Sequence, residues 1–466
     1  MDRTEKLKNG SIPKLLFSLA IPSIIAQLVN ILYNMVDRIF VGRMENGTLA
    51  MSALSVALPI ITFIMAVTQL VGMGGAPLAA IKLGADDKDG AEKIMTTSFV
   101  SLISTGVLMT VIIVVFARPL LYAFGADASN INMAVEYTTI YASGTLFVQI
   151  ALGMNAYINT QGYAKFGMVT VLIGAVLNIG LDPLFISVLG MGVKGAALAT
   201  IISQGVSAIW ALIFIFGKKS IIKIRKKYLI PDIKVLGSIC ALGVSPFIMS
   251  STESLLQISF NNQLSLYGGT TAVGAMSILL SLYQMVNMPL QGLCQGAQPI
   301  LSYNYGAGNL ERVKKTFKLL FVCCLSFSFV GCGTIVIFSR TFGSIFSGDS
   351  EMLKMVEWAL RVYLLGGTVF GAQIACQQSF VSLGQAKRSL LMALFRKVFL
   401  LIPLIYIMPH LLGGTALATT LSLPVADICV DSSRVFAVLV SESISDVLAA
   451  ATTTALFFNF YKNHLK

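Results

Sequence analysis

The chain has 466 residues, of which 56% are hydrophobic and only 12% charged, and its mean hydropathy is +0.82. Soluble domains carry about a quarter charged residues, so this composition cannot cover a water-facing surface, and the solvent must be a lipid bilayer. The net charge of +12 would suit nucleic acid, but the basic residues sit in short loops between apolar stretches and form no patch interleaved with aromatics, which excludes that partner.

In chain order, twelve stretches are long enough to cross about 30 Å of hydrocarbon. They fall at 14–38, 49–72, 94–117, 134–159, 167–188 and 195–216, then at 235–260, 272–294, 316–339, 355–382, 390–410 and 434–458. The expected fold class is an all-α polytopic membrane protein with twelve transmembrane helices. Met1–Ile12 mixes Asp2 and Glu5 with basic residues ahead of a long, partly polar span, so no cleaved signal peptide is expected and the first helix is retained. Between 411 and 434 lies an unusually long connection with Pro424, Asp427, Cys429 and Asp431. It reads as an extracellular insertion, with a short thirteenth span over 411–426 as the alternative.

Lys and Arg fix the orientation. Alternate loops, counted with the basic 217–234 linker, collect roughly 25 of the 33 Lys and Arg on one side, which the positive-inside rule makes cytoplasmic. Arg396 and Lys397 are counted on that side. Both termini and the linker are then cytoplasmic in a bacterial or archaeal plasma membrane.

The chain also repeats itself at an interval of about 222 residues. That offset carries Pro77 onto Pro299, Gly84-Ala85 onto Gly306-Ala307, Arg118 onto Arg340, Phe124 onto Phe346 and Asp127 onto Asp349. It also carries Gly162-Tyr163-Ala164-Lys165 onto Gly384-Gln385-Ala386-Lys387. The organisation is an N-lobe (1–216), a cytoplasmic linker (217–234) and a C-lobe (235–466). Six spans per half make the repeats parallel, a build suited to alternating access.

The 7 cysteines have no metal-ligand spacing and no disulfide is expected. The 2 histidines, His410 and His464, lie at loop ends. No Ser/His, Cys/His or metal set supports an enzyme, and no cofactor is expected.

The segment Gly296-Ala297-Gln298-Pro299-Ile300-Leu301-Ser302-Tyr303-Asn304-Tyr305-Gly306-Ala307-Gly308-Asn309 resembles the signature of the multidrug and toxic-compound extrusion (MATE) family at the end of its eighth helix. The resemblance runs from Leu16 to Phe458 and includes the weaker copy at Gly75–Gly84. Asp37-Arg38-x-x-x-Gly42-Arg43 superficially matches a loop motif of major-facilitator transporters, but it ends the first helix on the opposite side, where Arg38 and Arg43 read as interfacial anchors.

Carboxylates inside the spans are the candidate chemistry, since an ionised side chain at mid-bilayer costs about 2.5–3.5 kcal/mol. Gln27, Asn30, Asn34 and Asp37 form a polar stripe at helical spacing. Asn178 and Asp182 share a face at i, i+4, so the amide can bond the carboxyl. The alternative is that Asp37 and Asp182 cap helix ends at the outer surface. The resemblance implies an N-lobe proton or cation site at Asp37, Tyr137, Asn178, Asp182 and Thr200, with Tyr141 able to replace Tyr137. Glu253, with Gln257 one turn on, reads as a substrate-cation contact or an interhelical hydrogen-bond partner. Arg396 reads as a snorkelling anchor, or as the partner of Glu442 or Asp446.

Pro22 and Pro246 lack a backbone donor and are candidate hinges. The expected activity is secondary export of amphipathic organic cations against protons, sodium being the less favoured coupling ion, by a monomer in the bilayer. The alternative within the superfamily is a flippase for lipid-linked oligosaccharide or another anionic lipid.

Overall fold

The computed structural model describes residues 3–44, 46–346 and 349–464, except the side chains of Arg3 and Thr48, and every regular element among them is helical. In hydrocarbon a helix satisfies its own backbone hydrogen bonds, which an open sheet edge cannot do. The first half contains α1 (Arg3–Asn9), α2 (Ile12–Gly42), α3 (Gly47–Gly84), α4 (Lys88–Ala123), α5 (Ile131–Ser143), α6 (Thr145–Thr160), α7 (Ala164–Asp182) and α8 (Val193–Phe216). A π-helical segment, Pro183–Val188, continues α7. The second half contains α9 (Ile233–Gly306), α10 (Leu310–Ile337), α11 (Ser339–Ser344), α12 (Ser350–Tyr363), α13 (Gly367–Ser382), α14 (Ala386–Leu394), α15 (Ile402–Leu411), α16 (Ala416–Ser422) and α17 (Ser432–His464). A second π-helical segment, Phe395–Leu401, joins α14 to α15.

The 74 residues of α9 would extend about 110 Å at ~1.5 Å per residue, several bilayers' worth. Gly269 divides them with φ 68° and ψ −163°, a conformation in effect open only to glycine. Among the described residues nine helices are long and apolar enough to cross, and α12 with α13, bent by 50°, makes ten. The division of α9 and the α5–α6 pair, separated only by Gly144, bring the spans to the expected twelve.

The sequence repeat is also a repeat of backbone shape. The α5–α6 break at Gly144 recurs 222 residues on, at Gly366, between α12 and α13. Gly162 (φ 80°) corresponds to Gly384 (φ 69°), and Asp86 (φ 57°) corresponds to Gly308 (φ 70°). Asp86, the sole non-glycine with positive φ among the described residues, therefore follows the turn that its repeat counterpart makes with glycine.

The chain forms two compact units. One runs through Ser250 and includes Gln295–Val313 and Val381–Ala386; the other comprises Ser251–Cys294, Lys314–Phe380 and the residues from Lys387 onward. In the first unit α2 packs on α7, α3 on α4, and α6 on both α3 and α8. Glycine permits the closest crossings. A Cβ on Gly84 would lie 2.0 Å from the Tyr303 carbonyl oxygen, and one on Gly306 would lie 1.9 Å from that of Ile81. The α1 helix is secured there too. Its Leu7 is buried, and the Leu7 carbonyl accepts from Asn304 Nδ2 (3.1 Å) and Arg312 Nη2 (3.3 Å), while the Gly10 carbonyl accepts from Arg312 Nη2 (2.7 Å). These bonds satisfy carbonyls that a short helix leaves without intrahelical partners.

The basic linker is docked on the first unit. Gln161 Oε1 accepts from the Ile221 and Ile222 amides at 2.6 and 3.2 Å. Arg225 holds the buried Glu92 through Nε (2.6 Å) and Nη2 (3.2 Å).

In the second unit α17 packs on α12, α15 and α16. Phe317 stacks on Phe457 at 4.1 Å, and Phe380 meets Phe457 edge-on at 4.9 Å. The 411–434 segment is folded rather than a plain loop. It contains α16 and a 3-10 turn, Leu423–Val425, with the Leu421 carbonyl accepting from Trp358 Nε1 at 2.8 Å. The apolar helical stretch Ala416–Val425 covers about 15 Å at ~1.5 Å per residue, half a bilayer, so no thirteenth span forms.

Candidate functional site

In the first unit, α2, α5, α7 and α8 bring the predicted polar residues to one place. Pro183 supplies no amide hydrogen, so the helical ladder loosens directly after Asp182 and widens into the π segment. Asp182 is fully buried, with Asn178 2% and Tyr137 4% exposed. Asn178 Nδ2 donates long hydrogen bonds to Asp182 Oδ1 (3.3 Å) and Thr200 Oγ1 (3.4 Å), and the Thr200 hydroxyl donates to the Ala196 carbonyl at 3.0 Å. Asp37 lies within electrostatic reach of Tyr33, Tyr137, Tyr141 and Asp182. Tyr137 and Tyr141 stack with ring centres 6.1 Å apart, so both candidate tyrosines border the carboxyl.

Acceptors outnumber donors at this place. Asp37 Oδ1, Asp182 Oδ2 and Asn178 Oδ1 are buried and have no hydrogen-bond partner among the described residues. Buried polar atoms are rarely left this way. A carboxyl proton would turn one acceptor into a donor, and the arrangement is suited to holding and releasing that proton.

The remaining polar stripe is more open. Gln27 and Asn30 are half-buried and Asn34 is exposed. Asn34 Nδ2 donates to the Asn30 carbonyl (2.7 Å) and Asn30 Oδ1 (3.2 Å). Pro22 and Pro246 are both buried, and α2 continues without a break through Pro22.

The second unit holds a charged cluster that sequence reasoning reached only in fragments. Arg396 Nη2 donates to Asp446 Oδ1 (2.8 Å), Glu442 Oε1 (3.1 Å) and Tyr283 OH (3.4 Å), and Nε donates to Asp446 Oδ1 at 3.2 Å. Its guanidinium lies 4.2 Å from the Phe370 ring centre. Lys397 Nζ donates to Glu253 Oε1 at 2.6 Å. The Arg396 and Lys397 side chains are 7% and 3% exposed, whereas that of Glu253 is 65% exposed. Arg396 is therefore no snorkelling anchor, and neither residue is a cytoplasmic loop charge. Both sit on the Phe395–Leu401 π segment, whose wider turn aims consecutive residues at separate acidic partners. Gln257 is exposed. Lys397 was missed as a partner of Glu253 because 144 residues separate them; the adjacent pair of cations inside an apolar span was the available signal.

The MatE family profile matches residues 22–184 and 246–407. The chain belongs to the MatE family. A relative within reach of sequence comparison is the multidrug export protein MepA of Staphylococcus haemolyticus (strain JCSC1435), 25% identical over 415 residues that span 89% of this chain and 91% of the relative. An outward-facing structure of a multidrug resistance MATE family transporter of the MOP superfamily superposes with a TM-score of 0.88 at 22% identity, covering 99% of this chain and 98% of its own. A MOP superfamily transporter from Pyrococcus furiosus, whose description gives its binding pocket reverse polarity, superposes at 0.86 with 21% identity, covering 98% and 97%. The first MatE segment contains Asp37 and Asp182 and the second contains Glu253, Arg396 and Lys397, while Glu442 and Asp446 lie beyond both.

Proposed function

We propose that this MatE protein exports amphipathic organic cations in exchange for protons by alternating access. Asp37 and Asp182 carry a coupling proton, with Tyr137, Asn178 and Thr200 around them. The observation that carries this reading is the unpartnered set Asp37 Oδ1, Asp182 Oδ2 and Asn178 Oδ1. Electrostatic neighbours that each keep one carboxyl oxygen without a donor favour one shared proton, and binding it alters the polar balance among α2, α5, α7 and α8. Multidrug export by the Staphylococcus relative supports the substrate class.

Gln27, Asn30, Asn34, Glu253 and Gln257 are the proposed substrate contacts, and Pro22 and Pro246 the proposed hinges. The protein works as a monomer with both termini in the cytoplasm of a prokaryotic cell.

The test is ethidium efflux driven by an imposed pH gradient, comparing wild type with Asp37→Asn and Asp182→Asn. Loss of efflux in both variants, with expression and ethidium binding retained, supports the coupling role. Undiminished efflux in both removes these carboxyls from the coupling step, and no efflux by wild type points to the flippase.

A further inference from the structure

The charged cluster of the second unit does not balance. Glu253, Glu442 and Asp446 face two cations, Arg396 and Lys397. Lys397 donates to Glu253, while Arg396 donates to both Glu442 and Asp446. Neither of these acids is in contact with bulk water: Glu442 is 4% exposed and Asp446 fully buried. A surplus charge at such a depth is costly unless it is paired. Moreover, Asp446 Oδ2 has no hydrogen-bond partner among the described residues.

We propose that the Arg396–Glu442–Asp446 triad binds a second coupling proton, accepted at the Glu442–Asp446 pair, and makes export of a monovalent cation voltage-driven. The proposal rests on the exchange of organic cations for protons proposed above. A proton fits better than a metal ion, because one free carboxylate lone-pair site satisfies a proton whereas a bare metal cation needs several oxygens. The groups facing the pair are Arg396 and Lys397 on the π segment, Tyr283 and Glu253 on α9, Tyr363 on α12 and Cys332 on α10. Glu253 extends the cluster, since its carboxyl touches Lys397, which lies within electrostatic reach of Glu442.

Charge arithmetic gives the consequence. One proton inward for one monovalent cation outward moves no net charge, so the membrane potential cannot drive it. Two protons move one net positive charge inward per cycle. At 100 mV, inside negative, one charge corresponds to about a fiftyfold change in the attainable ethidium gradient. The N-half site alone supplies the first proton, and the triad supplies the second.

The experiment uses the full chain in proteoliposomes, with ethidium as substrate and independently imposed pH gradient and potassium–valinomycin potential. Wild type is expected to respond to both forces, with two protons moved per ethidium at the point of zero net flux. Glu442→Gln and Asp446→Asn are expected to keep pH-driven export and lose the response to potential. A purely structural salt bridge would lower both responses together, so a parallel loss overturns the proposal. Wild-type voltage dependence in both variants also overturns it. Where a variant does not fold, the wild-type count decides, and one proton per ethidium overturns it. Transport that follows pH but ignores voltage in wild type removes the triad alone, whereas the absence of any pH-driven transport removes the coupling reading as well.

Discussion

Gly84 and Gly306 occupy reciprocal positions: Gly84 lies against the carbonyl of Tyr303, and Gly306 against the carbonyl of Ile81. Both pairs of positions are related by the 222-residue repeat, so one helix crossing is written twice in the chain. Gly74 and Gly296, also 222 residues apart, make close approaches of their own: their would-be Cβ positions lie 2.2 Å from the Ile239 carbonyl oxygen and 2.4 Å from the Ala20 Cα. The MATE signature thus supplies close packing in the first unit.

Gly306→Ala places a methyl group 1.9 Å from a backbone oxygen, where no rotamer change relieves the clash. Overpacking of this kind costs about 1–3 kcal/mol. Hydrogen exchange at residues 78–86 and 300–310 should accelerate by roughly one to two orders of magnitude. Gly333→Ala is the control, because nothing lies within 4 Å of its Cβ position. Equal exchange in the two variants would show that the crossing tolerates a methyl group.

Asn178→Leu removes the amide that bridges Asp182 and Thr200. Both carboxyl oxygens of Asp182 then lack a donor, a change of about 1–3 kcal/mol for a buried polar group. Proton-driven efflux should fall about tenfold or more. Asn178→Asp would not substitute, because it adds a third carboxyl. Efflux measured in parallel with folded yield separates this effect from simple destabilisation, and wild-type rates in Asn178→Leu would release the amide from its proposed role.

The linker contacts predict a pH window. Lys93 donates to Asp232 at 2.6 Å, and this bond, with the Lys234 amide, holds the Asp232 carboxyl below the usual carboxylate range. Its contribution is present above the unfolded value of about 4 and is lost as pH falls through the depressed one. Bonds to Asp89 and Tyr228 raise the Lys227 ammonium above the usual range. That contribution is present below about 10.4 and is lost as pH rises through the raised value. Protease cleavage within 217–234 should therefore be slow and flat between about pH 5 and 9. It should quicken at either extreme and in high salt, which screens exposed pairs. A steep change near pH 7 would contradict this account.

Glu253 and Lys397 are unequal partners. Removing Glu253 strands a buried ammonium, and breaking a buried pair this way costs about 3–5 kcal/mol. Removing Lys397 leaves a carboxylate whose side chain is 65% exposed. Glu253→Gln should accordingly lower Tm in detergent more than Lys397→Met, and the double variant should recover part of the loss. The reverse order would mean that Glu253 is the desolvated member.

Much of the architecture was legible in the sequence because apolar length and duplicated Gly and Pro residues are local signals. The Asn178–Asp182 pair was legible for the same reason, since one helical turn joins the two. Less legible was α3, expected to end at 72 yet continuous to Gly84. Gly74, Gly75 and Pro77 resemble a loop, but the glycines are there to admit neighbouring atoms at close range. The second charged cluster was legible only as separate acids and bases. Its assembly depends on contacts 46–144 residues apart and on a π segment that shifts which face Arg396 and Lys397 present. No periodicity of 3.6 predicts that shift.

The reciprocal glycines also bear on descent. In a half-length ancestor that paired with itself, one glycine would have formed both crossings, and any substitution there would have been felt twice. Fusion separated the two copies into independently mutable letters. Asp86 and Gly308 now differ while making the same turn, so the duplicated halves have diverged in chemistry at a place where they still share a shape.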